Sequence, residues 1–185
     1  MKSWNIRTSI LLALVIWMPS MGARNVADAC TVMRFSFGGH IVVARNHDWM
    51  FGEGLLVVNP RGLQKQAISP VQPAKWVSSY GSVSFVQFGR EIPFAGMNEK
   101  GLTVDLLQLH QAEFPLVESG KHSVNVVQWV QYQLDTAASV SDVIDSLEKI
   151  YPTPMVPSIE RVHYFVTDAA GDVATIEFLD GKANV

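Results

Sequence analysis

The most restrictive feature of this chain is a segment that folds back on itself at a defined point. Cys30 to Phe37 (CTVMRFSF) has the alternation of a strand, Gly38-Gly39 supplies a two-residue turn that favours positive φ, and His40 to Arg45 (HIVVAR) returns. A turn of that length fixes the register of a hairpin. The returning strand therefore carries Arg45, Asn46 and Asp48 back toward the end at which Cys30 starts, and Cys30 is the only cysteine among 185 residues.

What precedes Cys30 makes that end special. Lys2 and Arg7 give a positive start, Ile10 to Met18 form an apolar run, and Pro19, Ser20 and Gly22 break it ahead of Ala27-Asp28-Ala29, a small-x-small site of the kind signal peptidase cleaves. Nine apolar residues are too few to cross a bilayer, which needs about 20. Residues 1–29 are therefore expected to be a signal peptide and the protein to be exported, to the periplasm or the medium. A cut there leaves Cys30 first, with a thiol and a free α-amine on one carbon. An α-amine titrates at about 7.7–8.0, so it can take the proton of its own nucleophile. Lipoproteins are also cut before a cysteine and a Cys30-anchored lipoprotein stays open, although Ala27 and Asp28 suit that site poorly.

After residue 29 the chain keeps 11 Lys+Arg against 16 Asp+Glu, with no basic run, which argues against nucleic acid as a partner. The 156 residues from Cys30 on suffice for one domain with its own core. Five histidines, at 40, 47, 110, 122 and 163, form neither an HExxH motif nor a Cys/His cluster, and Gly-rich phosphate loops are absent, so no metal or cofactor is called for.

Further strands are expected at Leu55 to Asn59, Val83 to Phe88, Leu102 to Leu109, Val162 to Thr167 and Val173 to Leu179, the last two joined by Ala170-Gly171. Helices are expected over Val124 to Leu134 and Val140 to Ile150, each with one apolar stripe. Ser139 and Asp142 form a capping pattern for the second, and Pro152, Pro154 and Pro157 are expected to end it. Strands, then helices, then strands again predict a layered α+β fold with largely antiparallel sheets.

Cys30-Thr31, then Ala44-Arg45-Asn46-His47-Asp48-Trp49, then Gly96-Met97-Asn98-Glu99-Lys100-Gly101-Leu102, in that order behind an export signal, resemble the choloylglycine hydrolase family of N-terminal nucleophile hydrolases, which includes bile salt hydrolases and penicillin V acylases. The resemblance runs on to His163-Tyr164-Phe165-Val166-Thr167-Asp168, and its most specific step is R-N-x-D. It implies an αββα sandwich, hydrolysis of a linear, non-peptide amide C–N bond of a small N-acyl substrate, and a homo-oligomer, namely a homotetramer. Cys30 would attack as thiolate, with Arg45 favouring the thiolate and Asp48 holding the α-ammonium. Gln108 stands where some members carry an oxyanion-hole Asn, and is a further catalytic candidate. Trp49, Met50 and Phe51 could line an apolar acyl pocket or belong to the core. Asn98, in an Asn-Glu-Lys-Gly turn, reads as structural.

One departure stands out. Members of the family continue past the point matching Val185 with an Asn-Ser motif and a later Arg, neither of which maps here. The reading therefore expects a sandwich incomplete at its C-terminus, with Val173, Ile176 and Phe178 uncovered, and leaves open a catalytically impaired, truncated homologue.

Overall fold

The computed structural model describes residues 30–49 and 52–185. The expected signal peptide, and Met50 and Phe51 of the expected acyl pocket, lie outside the described residues.

The opening hairpin forms as its sequence dictates. Strand β1 (Thr31–Phe37) pairs antiparallel with β2 (His40–Asn46), from Thr31 opposite Asn46 to Phe37 opposite His40. Gly38 and Gly39 take φ of 58° and 80°, the left-handed pair that a two-residue turn of this twist requires and that a Cβ would oppose.

The rest of the chain builds one antiparallel seven-stranded sheet and its cover. In chain order its strands are β3 (Leu55–Asn59), β6 (Ser82–Val86), β7 (Pro93–Asn98), β8 (Thr103–Gln108), β11 (Val162–Thr167), β12 (Val173–Leu179) and β13 (Lys182–Asn184). Their order across the sheet is β13-β12-β11-β8-β7-β6-β3. Two short pairs flank it: β4 (Gln64–Gln66) with β5 (Lys75–Val77), and β9 (His122–Asn125) parallel to β10 (Ile150–Thr153).

Alternation along the strands separates two faces. Val104, Tyr164, Val166, Ile176 and Phe178 are buried against helix α1 (Gln128–Thr136), which contributes Trp129, Val130 and Leu134. Helix α2 (Val140–Ser146) closes that layer with Val140 and Val143, and the expected Ser139/Asp142 capping box is present. Contact between α1 and the sheet is close enough that a Cβ on Gly96 would lie 2.5 Å from Leu134 Cδ1 and 2.8 Å from Val83 O, so this strand position admits only glycine. Asp105, next to Val104, points the other way, onto the face crossed by the β1–β2 hairpin. The layers run helices, seven-stranded sheet, hairpin: an α+β sandwich, as expected.

Three expectations are corrected. Val124 and Asn125, expected to open the first helix, instead end β9, and α1 begins at Gln128, because Asn125 Oδ1 accepts from the N–H groups of Val127 (2.9 Å) and Gln128 (3.3 Å) and so starts the helix after itself. The second helix stops at Ser146, and Pro152 lies inside β10 of a two-stranded pair, where its missing N–H costs little. Ile176 and Phe178 are covered, at 0% and 2% exposure, by Tyr164 and Phe114 on the helix side; only Val173 is exposed.

Candidate functional site

The hairpin register puts Cys30 one step beyond the Thr31–Asn46 pair, opposite His47. Arg45 and His47, two residues apart, share the face that looks onto the sheet. Arg45 crosses to it and is held by a fork of donors: Nη1 to Phe94 O (2.9 Å) and the Asp105 carboxylate (3.2 Å), Nη2 to Leu106 O (2.6 Å) and His47 Nδ1 (3.0 Å). Its guanidinium also lies over the Phe94 ring, 5.0 Å from the centroid. Side-chain exposures of 10% and 5% make Arg45–Asp105 a buried ion pair. Burial pushes the Asp105 carboxyl above its usual range, and the adjacent guanidinium offsets part of that rise.

Cys30 Sγ lies 3.7 Å from His47 Nδ1 and 3.9 Å from the main-chain oxygen of Asp48. The cation expected beside the sulfur thus reaches it through an imidazole: Arg45 bonds His47, and His47 bonds Cys30. The Asp48 carboxylate turns toward Asn46, whose Nδ2 donates to both its oxygens (2.9 and 3.1 Å).

Sulfur, imidazole and Asp48 open onto a cavity of about 370 Å³. Its walls are mainly apolar, with Trp49, Phe88, Ile92, Phe94, Leu106 and Met155 among them, as a hydrophobic acyl group requires. Of the three residues named for an acyl pocket or the core, Trp49 lines this cavity. Gln108, at the end of β8, is exposed and lines the same cavity as Cys30 and Asp48, whereas Arg45 lies behind the lining and touches it through His47. Also on the wall, Glu160 accepts from Asn125 Nδ2 (3.1 Å), Val156 N (2.9 Å) and Met155 N, which satisfies its carboxylate. Asn98 stays away from the cavity: Nδ2 donates to Leu134 O and Ala137 O, and Oδ1 accepts from Lys100 N and Leu102 N, so it joins the β7–β8 turn to the end of α1.

His47, Gln87 and Phe94 were not singled out by sequence reasoning. For His47 a signal existed, since the hairpin register that brings Arg45 to the Cys30 end carries residue 47 directly opposite residue 30.

Comparison with known proteins agrees with this geometry. Residues 30–185 match the family model of linear amide C–N hydrolases, choloylglycine hydrolase family. The chain is 33% identical over 154 residues to a penicillin V acylase of Pectobacterium atrosepticum, covering 76% of this chain and 41% of that protein. Penicillin V acylase from Agrobacterium tumefaciens superposes with a TM-score of 0.70 at 29% identity, over 84% of this chain and 48% of that one. A conjugated bile acid hydrolase from Clostridium perfringens shares the fold at 20% identity with a TM-score of 0.67, over 84% of this chain and 50% of that one. The chain spans half the length of these relatives or less. With its site residues lying inside the matched region, it belongs to the choloylglycine hydrolase family of linear amide C–N hydrolases.

Proposed function

We propose that this protein is an exported cysteine amidase that cleaves the C–N bond of small N-acyl amides, of the kind represented by penicillin V, conjugated bile salts and acyl homoserine lactones. The observation that carries the reading is the single thiol on the wall of an apolar cavity, with a buried cation and an imidazole behind it. Removal of residues 1–29 frees the α-amine of Cys30. That amine takes the thiol proton as sulfur attacks the acyl carbonyl carbon, and returns it to the departing amine as the C–N bond breaks. The thioester left on Cys30 is cleaved by water, with the same amine as base, releasing the carboxylic acid and restoring the thiol. Gln108, at the mouth of the cavity, is a donor for the oxyanion, and its backbone N–H is a second. Trp49 and Phe94 would hold the acyl group.

The test uses the exported protein. Intact mass should show a chain beginning at Cys30 with an unmodified amine, and hydrolysis of the three amide classes should vanish in Cys30→Ala while the fold persists. Turnover retained by Cys30→Ala would place the nucleophile elsewhere, and a diacylglyceryl mass on Cys30 would overturn the amidase reading.

A further inference from the structure

We infer that Glu160 is a specificity-determining residue: its carboxylate, fixed on the cavity wall with no cation paired to it among the described residues, turns away acyl groups that carry a negative charge and reserves the cavity for neutral ones. This deepens the amidase reading and rests on the acyl group occupying this cavity.

Glu160 stands just ahead of β11, whose Val162 pairs with Gln108 of β8, and all three residues line the cavity. Its place on the wall is fixed by its partners. Asn125 Nδ2 donates to Oε1 at 3.1 Å, and Val156 N (2.9 Å) and Met155 N donate to Oε2. Asn125 is itself committed: it is 3% exposed, and its Oδ1 already accepts from Val127 N and Gln128 N, so only its NH2 group is left for Glu160. The turn that carries the acid is closed as well, since Ile159 N and Glu160 N both donate to Val156 O at 3.0 Å. With N–H donors on both oxygens and no acceptor among these partners, the group is held as a carboxylate.

Nothing on the wall offsets that charge. No lysine or arginine lines the cavity among the described residues. Arg161, next in the chain, donates instead to His110 O (2.8 Å) and Pro157 O (3.3 Å), and Arg45 lies behind the lining, paired with Asp105. Desolvation, above all, lowers the pKa of His47, so its imidazole brings no positive charge at neutral pH. The other charged group on the lining is Asp48, a second anion. Around the two carboxylates the wall is apolar, with Phe88, Ile92, Leu106 and Ile159. A carboxylate on an acyl group would lose its water there, meet no cation in exchange and face a like charge in a medium that screens poorly. A neutral acyl group meets none of these penalties.

The probes are heptanamide and adipamate, amides on chains of similar length that end in a methyl group and in a carboxylate. Each is scored by the concentration that halves the rate of Cys30 alkylation by iodoacetamide in the exported protein, a readout that needs no turnover. Heptanamide should protect at roughly a hundredfold lower concentration than adipamate, part of the difference coming from desolvation alone. Glu160→Gln keeps the size and removes the charge, and should cut that ratio about tenfold, the effect of a unit charge about 10 Å away at an effective dielectric of about 20. A merely structural role for Glu160 would weaken both probes alike and leave the ratio unmoved. Met155→Lys adds a cation to the wall while keeping the main-chain bond to Glu160, and should narrow the ratio too, which decides the matter if Glu160→Gln does not fold. A wild-type ratio near one, or a ratio unchanged in the folded variants, overturns the inference. If neither probe protects Cys30, the acyl group does not occupy this cavity and the inference falls with that placement, while the amidase reading keeps its own Cys30→Ala test.

Discussion

Replacing Arg45 by Met keeps a linear apolar stem but removes the guanidinium donors that tie the hairpin to the sheet. Two carbonyls, Phe94 O and Leu106 O, and the Asp105 carboxylate lose their bonds to Arg45 together. Removing one partner of a buried ion pair costs about 3–5 kcal/mol, because the survivor stays buried and uncompensated. The stranded carbonyls would add about 1–3 kcal/mol each if they stayed dry. Asp105 has a way out. Burial already pushes its carboxyl up, and without Arg45 it would take up a proton, so a net loss of about 4 kcal/mol in urea unfolding at pH 7 is expected. The sign of its pH dependence follows. A carboxyl raised in the folded state is a penalty that is full above its folded pKa and relieved as pH falls toward the unfolded value, so the gap between variant and wild type should narrow at pH 5. Asp105→Asn in the Arg45→Met background removes the stranded charge and should recover about 1–2 kcal/mol, a coupling of the size seen for residues in contact. A single-variant loss below about 1 kcal/mol, or strictly additive effects in the double variant, would refute the view that Arg45 and Asp105 act as a buried unit.

Asn98→Ala removes four hydrogen bonds at a site 3% exposed and should cost about 3 kcal/mol in urea unfolding; a loss under about 1 kcal/mol would mean that the turn closes without the side chain. Burial lowers the pKa of both His47 and His163, so each binds a proton less readily folded than unfolded. Their contribution is full above about pH 6.5 and is lost as pH falls from there toward the folded values, with a slope of at most about 1.4 kcal/mol per pH unit for each group. Urea titrations at pH 7.5 and 5.5 should show a smaller acid loss in His163→Phe than in wild type, and equal losses would exclude His163 as a contributor.

The hairpin, the outer strands and the α2 cap are legible because their signals are local: period-two alternation, a Gly-Gly turn, and a hydroxyl three residues ahead of a carboxylate. Residues 122–125 are not. Val126, Val127 and Val130 suit a helical stripe, and nothing nearby says that Val124 belongs to a strand whose partner, Ile150–Thr153, lies past two helices. The seven-stranded core had the same difficulty at Pro93–Asn98, where the GMNEKG stretch draws attention to its turn and away from the strand entering it. At the site, Arg45, Asp48 and Trp49 were readable from their position after Cys30, whereas Gln87 and Phe94 arrive from β6–β7 through sheet pairing that a single sequence does not display. Asp105 was hidden for another reason. A lone acid in the apolar run Thr103–Gln108 looks like an outward-facing residue until the hairpin is laid across that face.

Arg45 joins the two halves of this construction. The bonds that fasten β2 to Phe94 of β7 and Leu106 of β8 come from the same guanidinium that bonds His47 behind the sulfur. Placement of the hairpin and the seating of His47 beside the sulfur are therefore not separable at this residue: any change that loosens the layer contact also loosens the imidazole next to Cys30. Lysine could not substitute, since one ammonium with three donors cannot span two carbonyls, a carboxylate and an imidazole in one plane. The cavity gains from the arrangement as well. Because the positive charge is paired with Asp105 and lies over the Phe94 ring, the cavity wall beside Cys30 stays mainly apolar.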